Sequence, residues 1–130
     1  MLRDIVRSIS TGIKEINFTG INVGLVDERG EIAALYKGIP QKDIGIRTDI
    51  LENIPKSIGI KKAIIADEIG SKEDIEAIEY AVSSGVNGIF TAHGDSKKEL
   101  MKNPVLKELL NEQLIEKVIF IKSDRSIEVA

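Results

Sequence analysis

The segment from Ala63 to Gly70 constrains this chain most, because a short apolar run leads directly into two carboxylates. A half-exposed strand would alternate apolar and polar residues, so the run predicts a strand buried on both faces over Lys62–Asp67. Asp67 and Glu68 close that strand, and open α/β sheets bind ligands in the crevice at the carboxyl ends of their strands. There one carboxylate can hold hydrated Mg²⁺ while the next orients or deprotonates a water. The alternative is that both acids are only the solvated end of a strand.

The composition indicates one ordinary globular domain. The 130 residues suffice for a hydrophobic core, with 42% hydrophobic and 30% charged residues. A formal net charge of −3 gives no electrostatic reason to expect binding to nucleic acid or to an anionic membrane. The absence of cysteine excludes disulfides, thiolate chemistry and zinc–thiolate sites. No apolar run is long enough to span a membrane and no secretory signal is evident, so we expect a soluble, cytoplasmic protein without a transmembrane segment.

Strand and helix patterns alternate along the chain, which predicts an α/β fold with a mostly parallel sheet, flanking helices and right-handed crossovers. Glu31–Tyr36 is either strand or loop, and Gly38–Gly45 is a loop. Thr48 would cap a short helix ending before Pro55. Helices are predicted at Leu2–Ile9, Thr48–Ile54, Lys97–Met101 and Val105–Leu110, and strands at Ile21–Val26, Lys62–Asp67, Val86–Ala92, Glu116–Ile121 and, as an edge, Ile127–Val129.

The helix that follows Ser71 has the clearest signals in the chain. Ser71 is a good N-cap, and the acids Glu73 and Asp74 lie in the first turn, where the helix dipole favours negative charge. Gly85 suits the left-handed residue after the last turn. The apolar face recurs at helical spacing through Ile75, Ile78 and Val82.

Two other predicted strands also end on chemically capable residues. Asp27, Glu28 and Arg29 follow the first strand, where incidental charges in a turn are the alternative. His93 closes the strand Val86–Ala92, and a structural hydrogen-bonding role is the alternative for a lone histidine. Convergence of three such strand ends favours a functional site. Arg47 is a candidate for bidentate phosphate binding, with surface pairing to Asp43 or Asp49 as the alternative.

No phosphate-cradling loop is present in the sequence. Neither G-x-x-x-x-G-K-[ST] nor G-x-G-x-x-G occurs, and Lys56-Ser57 and Lys122-Ser123 both lack the required glycines. Taken alone, the chain therefore has an acidic sheet edge but no evident element to hold a triphosphate.

Five segments occur in a specific order: Asn22–Ile32, Gly38–Gln41, Gly45–Asp49, Ala66–Gly70 and Thr91–Gly94. Together they resemble the family of stage III sporulation protein AA, and the resemblance runs from Leu2 to about Lys122. That family belongs with the P-loop ATPases and is similar to the type II and type IV secretion ATPases. The resemblance therefore implies a RecA-like P-loop NTPase core.

The resemblance also implies roles for individual residues and the cofactors ATP and Mg²⁺. Asp67 is expected to face the metal and Glu68 the attacking water. Glu28 matches a glutamate often assigned a catalytic part in secretion ATPases. His93 lies in a segment that links nucleotide state to subunit contacts.

The same resemblance implies roles for two arginines and a set of protein partners. Arg29 and Arg47 are candidates for contacting the γ-phosphate, including across a subunit boundary as an arginine finger would. Proteins of this kind work as homo-oligomeric rings, commonly hexamers. The family acts in endospore formation, where it is thought to assist assembly of a channel between mother cell and forespore. The expected partners are other stage III sporulation proteins at the membrane.

Two departures from the family pattern affect these expectations. The family's phosphate loop, the Walker A motif, should precede the segment resembling Leu2–Ser10, so we expect residues 1–130 to be a single partial ATPase domain, truncated at the N-terminus. Loss of the strand carrying that loop should leave an unpaired sheet edge and detach the strand Glu116–Ile121. The stretch Pro55–Lys62 also looks shortened, as if most of a helix were deleted.

Three hypotheses remain open on the sequence. The first is a sporulation ATPase domain that is inactive alone without the phosphate loop. The second is a non-catalytic assembly module of the same sporulation complex. The third is another Mg²⁺-dependent phosphotransfer fold that pairs acids at its strand ends.

Overall fold

The computed structural model describes residues 1–60 and 65–130, so residues 62–64 of the strand predicted at Lys62–Asp67 lie outside the described residues. A short 3-10 helix, Lys14–Ile16, lies between α1 and β1. In chain order the elements are α1 (Leu2–Thr11), β1 (Val23–Asp27), β2 (Leu35–Tyr36), β3 (Ile39–Pro40), β4 (Thr48–Glu52), α2 (Lys56–Ile60), β5 (Ile65–Ala66), α3 (Lys72–Ser83), β6 (Ile89–Phe90), α4 (Lys97–Leu100), α5 (Pro104–Asn111), β7 (Ile119–Ile121) and β8 (Ile127–Val129).

The principal sheet has four parallel strands in the order β4-β1-β5-β6. Strand β1 is central, and it pairs with β4 over five residues and with β5 over two. Its side chains Val23, Leu25 and Val26 are buried, as expected for a strand covered on both faces. The predicted α/β fold with a mostly parallel sheet and flanking helices is confirmed.

Separate apolar clusters cover the two faces of the sheet. On one face, Val6 of α1 packs in a cluster with Leu25 and Ile65. On the other face, the cluster around Val26 includes Ile60 of α2 and Leu109 of α5, together with residues of α3. Helices therefore lie on both sides of the parallel strands, and the strand ends are left to form the edges of the molecule.

Helix α3 forms as predicted and begins directly after the acidic end of β5. The Asp74 N–H donates to Ser71 Oγ at 3.1 Å, and Asp74 Oδ2 accepts from the Ser71 N–H at 3.0 Å, which completes a capping box. Gly85 has the expected positive φ of 78°. Of the predicted apolar face, Ile75 and Ile78 are buried, whereas Val82 stays 37% exposed.

The helix predicted at Thr48–Ile54 is wrong, because this segment forms β4. It pairs in parallel with β1 from Val23↔Thr48 to Asp27↔Glu52. Thr48 Oγ1 donates to the Ile44 carbonyl at 2.6 Å instead of capping a helix. Pairing with a strand 25 positions earlier in the chain outweighs the local capping signal, and the chain becomes helical only after Pro55, in the short α2.

Two short hairpins complete the fold. Strands β2 and β3 pair in an antiparallel hairpin inside a region predicted mainly as loop. Strands β7 and β8 form a second antiparallel pair outside the four-stranded sheet, as expected for a detached Glu116–Ile121 segment. Phe120 is buried against the core, while the other face of this hairpin exposes aliphatic side chains, namely Ile119, Ile121, Ile127 and Val129.

No helix within residues 1–60 and 65–130 has the length and apolar character needed to cross a membrane.

Candidate functional site

The carboxyl ends of β1, β5 and β6 meet at one edge of the sheet, because these strands run parallel. Helix α2 begins at the same edge, shortly after the carboxyl end of β4. We call this group the carboxyl-edge cluster, and its members are Asp27, Glu28, Arg29, Lys56, Asp67, Glu68, Thr91 and His93.

Asp27 organises the loop that follows β1. Its side chain is 1% exposed, and its carboxylate accepts three backbone N–H groups. The donors are Glu31 at 3.0 Å, Ile32 at 3.0 Å and Ala33 at 2.8 Å. Asp27 therefore shapes the turn that presents Glu28 and Arg29, and it does so with a buried, fully engaged carboxylate.

Glu68 lies at the centre of the cluster. Its carboxylate oxygens face two nitrogen-bearing side chains in different directions: Oε2 is 2.9 Å from Arg29 Nη1, and Oε1 is 3.5 Å from His93 Nε2. Arg29 comes from the loop after β1 and His93 from the segment after β6, so the three strand ends predicted to converge do so. The His93 side chain is 89% exposed, which places it at the outer rim of the cluster.

Lys56, like Thr91, is a member of the cluster that the sequence analysis did not predict. Its side chain is only 14% exposed, its Nζ donates to the Glu68 carbonyl at 2.6 Å, and it lies 3.8 Å from Glu28 Oε2. In the sequence, Lys56-Ser57 lacks the glycines of a phosphate loop, so the motif gives no reason to assign Lys56 to the site. The signal that identifies it is its place in the first turn of α2, just after the carboxyl end of β4, and that signal is hidden when β4 is taken for a helix.

Asp67 is half-buried, and its carboxylate is influenced by the Lys56 ammonium and by the Glu68 and Asp27 carboxylates. Burial raises the pKa of its carboxyl group above the usual value, the Lys56 ammonium opposes that rise, and the Glu68 and Asp27 carboxylates add to it. A carboxylate kept partly out of water beside other acids gains from a bound cation, so Asp67 is suited to hold a divalent metal.

The raised pKa gives a stability prediction for Asp67→Asn. A group whose pKa is higher in the folded state stabilises the fold only while protonated, and this contribution is lost as the pH rises through the folded-state pKa. Asp67→Asn should therefore stabilise the protein at pH 7, by on the order of 0.5 kcal/mol, with no gain at pH 3. Urea unfolding at both pH values measures this, with the exposed Asp49→Asn as control. Destabilisation at pH 7 would contradict the prediction.

Arg47 lies at the opposite edge of the sheet. It precedes β4, and its carbonyl accepts from the Val23 N–H at the start of β1, so the length of a five-residue strand, about 16 Å, separates it from the carboxyl ends. Its guanidinium donates to the carbonyls of Ser10 at 2.9 Å and Thr19 at 3.3 Å. The predicted surface pairing with Asp43 or Asp49 is wrong. In the described residues Asp43 pairs with Arg7 at 3.9 Å.

The donor set at the carboxyl edge fits one kind of metal ion. No three His, Asp or Glu side chains gather closely enough to hold a metal by themselves within residues 1–60 and 65–130. Mg²⁺ keeps several waters and is bound by one or two carboxylates plus substrate phosphates, so a single carboxylate such as Asp67 suffices.

An open cavity of about 330 Å³ lies elsewhere, beside the end of α1, where Arg7, Thr11 and Asp43 line it.

Comparison with known proteins identifies the lineage. The family model for sporulation stage III, protein AA, matches residues 1–128. The chain belongs to this family. Stage III sporulation protein AA of Bacillus subtilis (strain 168) is 42% identical over 127 residues, which cover 92% of this chain and 41% of that protein. The chain thus spans about two fifths of the length of the curated relative it matches. No solved structure matches it.

Membership of the sporulation stage III, protein AA, family confirms the resemblance inferred from the five ordered segments. The match includes every member of the carboxyl-edge cluster, since all of them lie between residues 1 and 128. The family description names a stage of sporulation and no chemistry, so the chemical role of the cluster has to be argued from its geometry.

Proposed function

We propose that this chain carries the acidic part of a Mg²⁺·ATP site in a sporulation ATPase, whose ATP hydrolysis assists assembly of a channel between mother cell and forespore. The single observation that supports it best is the convergence of Asp67, Glu68, Arg29 and Lys56 at the carboxyl edge of a parallel sheet. The strand order β4-β1-β5-β6 is compatible with the RecA-like core implied by the resemblance.

In this proposal, three residues of the cluster have separate chemical roles. Asp67 would hold the hydrated Mg²⁺, which when bound neutralises charge on the phosphates. Glu68 would orient a water and accept its proton as the water oxygen attacks the γ-phosphorus and the bond to the bridging oxygen of ADP breaks. Arg29, which is mostly exposed, would move from Glu68 to the γ-phosphate.

Glu28 and His93 have supporting places in this proposal. The Glu28 carboxylate lies 3.8 Å from the Lys56 ammonium. In this position Glu28 would help to bind the water molecules around the phosphates. His93 lies at the exposed rim beside Glu68. There it would couple a change in the position of Glu68 to its contact with a neighbouring subunit of a homo-oligomeric ring. Arg47 lies too far from this edge to contact the same phosphate, so any role in catalysis would act on a different subunit.

The phosphate-cradling element would come from a further strand. Strand β6 is an edge of the sheet, with β5 as its only described partner in the order β4-β1-β5-β6, and β7 is paired only with β8 among the described residues. A strand inserted beside β6 would bring backbone N–H groups to the same carboxyl edge. Without that element, we expect this chain to bind ATP weakly and to hydrolyse it little or not at all.

Titration with ATP, with and without Mg²⁺, tests the proposal on the chain itself. We expect Mg²⁺-dependent shifts of the backbone amide NMR signals at Asp67, Glu68 and His93, with a Kd on the order of 1 mM because no phosphate loop contributes. Asp67→Asn should remove the Mg²⁺ dependence, and Glu68→Gln should retain binding. Asp49→Asn, at an exposed position in β4, is the matched control.

Two results would contradict this proposal. One is the absence of any Mg²⁺-dependent shift at the carboxyl edge at several millimolar ATP. The other is a set of shifts confined to the opposite edge, around Arg47. Any turnover that survives unchanged in Glu68→Gln would remove Glu68 from the chemistry.

A non-catalytic assembly module is the second candidate, and a separate observation favours it. The outward face of the β7–β8 hairpin is wholly aliphatic, whereas a hairpin with one solvated face normally places polar residues there. Such a face suits contact with other stage III sporulation proteins at the membrane or with further copies of this chain. Under this alternative Ile127→Lys weakens assembly, while ATP produces no shift at the carboxyl edge.

A further inference from the structure

Two side chains from distant parts of the chain bind the backbone N–H and C=O groups of Glu68. Its N–H donates to Thr91 Oγ1 at 2.9 Å, and its carbonyl accepts from Lys56 Nζ at 2.6 Å. The φ of Glu68 is +48°, a left-handed conformation that residues with a Cβ seldom adopt outside special contexts. An energetically unfavourable backbone conformation persists only where surrounding contacts compensate it, and here two side chains supply them.

Thr91 reinforces the same arrangement through its own backbone. Its N–H donates to the Ala66 carbonyl at 3.2 Å, and its carbonyl accepts from the Ile69 N–H at 2.8 Å. Thr91 therefore binds the chain two residues before Glu68, at Glu68 itself and at the residue after it. This leaves the Glu68 carbonyl as the part of the turn that Thr91 does not hold, and Lys56 binds that carbonyl.

We propose that Lys56 and Thr91 are positioning residues that hold Glu68 in its left-handed conformation and so aim its carboxylate along the crevice between Arg29 and His93. The supporting geometry is that one side chain binds the N–H and another binds the C=O of Glu68, which together fix the direction of its Cα–Cβ bond. The catalytic consequence rests on the function proposed above, whereas the conformational consequence does not.

The ammonium of Lys56 is held in place by contacts with protein oxygens. Its side chain is largely buried, and its ammonium is shared between the Glu68 carbonyl and the Glu28 carboxylate. An ammonium engaged in this way is a compact donor already committed to protein oxygens, so it is not free to hold a phosphate. Methionine at this position keeps an unbranched side chain of similar reach and removes the donor and the charge.

The conformational part is tested by NMR on the nucleotide-free chain. The backbone coupling constants and Cα and Cβ shifts of Glu68 should indicate a left-handed residue in the native chain and in Thr91→Ser, which keeps the hydroxyl. They should lose that signature in Lys56→Met and in Thr91→Val, two variants that act from different elements. Lys72→Met, at an exposed site in α3, is the matched control. A left-handed signature unchanged in both Lys56→Met and Thr91→Val would overturn the proposal.

The catalytic part is tested by turnover with the same variants. Displacement of Glu68 should lower any residual kcat of the chain by about 10- to 100-fold. In Thr91→Val, which changes no charge, the Kd for Mg²⁺·ATP should stay the same, because Thr91 acts through Glu68. Native turnover in a variant that has lost the left-handed signature would overturn this part. Loss of the signature in these variants, together with no Mg²⁺-dependent ATP shift at the carboxyl edge of the native chain, would support the positioning role and count against the proposed ATPase function instead.

Discussion

Replacing Asp27 with alanine should destabilise the protein by about 3 kcal/mol, although Asp27 is one of the acids at a predicted ligand-binding edge. The substitution leaves the N–H groups of Ile32 and Ala33 buried without an acceptor, and it releases the partly buried N–H of Glu31 as well. An unsatisfied buried donor costs about 1–3 kcal/mol, and bonds to a charged acceptor are the stronger kind. Urea unfolding followed by circular dichroism measures the loss.

Two further variants serve as references for the loss of stability in Asp27→Ala. Asp27→Asn keeps one carbonyl oxygen for the bonds from Ile32 and Ala33, so it should lose roughly half as much stability. Asp49→Ala removes an exposed acid from the neighbouring strand and should change stability by less than about 0.5 kcal/mol. If Asp27→Ala were as stable as Asp49→Ala, the three hydrogen bonds would not hold the loop.

Gly45→Ala is the second substitution with a large expected effect, a destabilisation of about 2–3 kcal/mol. Gly45 has a φ of +85°, and a Cβ there would lie 2.6 Å from both Cβ and Oγ of Ser10. Ser10 is fully buried and accepts from the Arg47 N–H at 2.7 Å, so it has no room to move. The close approach of this loop to α1 therefore requires a glycine.

Gly38→Ala is the matched control for Gly45→Ala, because it isolates the cost of backbone conformation. Gly38 has a similar φ of +79°, but no atom lies within 4 Å of the position that a Cβ would take. Its replacement should cost only about 1 kcal/mol. Equal losses in thermal or urea unfolding for the two variants would show that contact with Ser10 contributes nothing.

Much of the fold could be predicted because its signals are local. Helix α3 combines a capping serine, an acidic first turn and an apolar face, and all three act within a dozen residues. The alternation of strands and helices predicted the parallel sheet, and parallel strands necessarily bring their carboxyl ends to one edge. That geometry explains why Arg29, Glu68 and His93 could be placed together before any coordinates.

The features that escaped prediction depend on contacts between distant parts of the chain. Thr48 and Pro55 mimic the ends of a helix, and only the pairing with β1 makes the segment a strand. That error also hid Lys56 in the first turn of α2. Asp27 binds backbone N–H groups, whereas Asp67 lies near the Lys56 ammonium, and this difference is likewise invisible in two similar patterns of strand followed by acid.

The order of strands in the principal sheet has a consequence for how the protein folds. The central strand finds its two neighbours 25 and 40 positions further along, as the pairs Leu25↔Ile50 and Leu25↔Ile65 show. Closing such long loops costs chain entropy before any pairing repays it, so topologies of this kind fold slowly relative to helical bundles. On the ribosome, the first strand therefore has no partner until about 25 further residues have been made, and its second partner follows about 15 residues later.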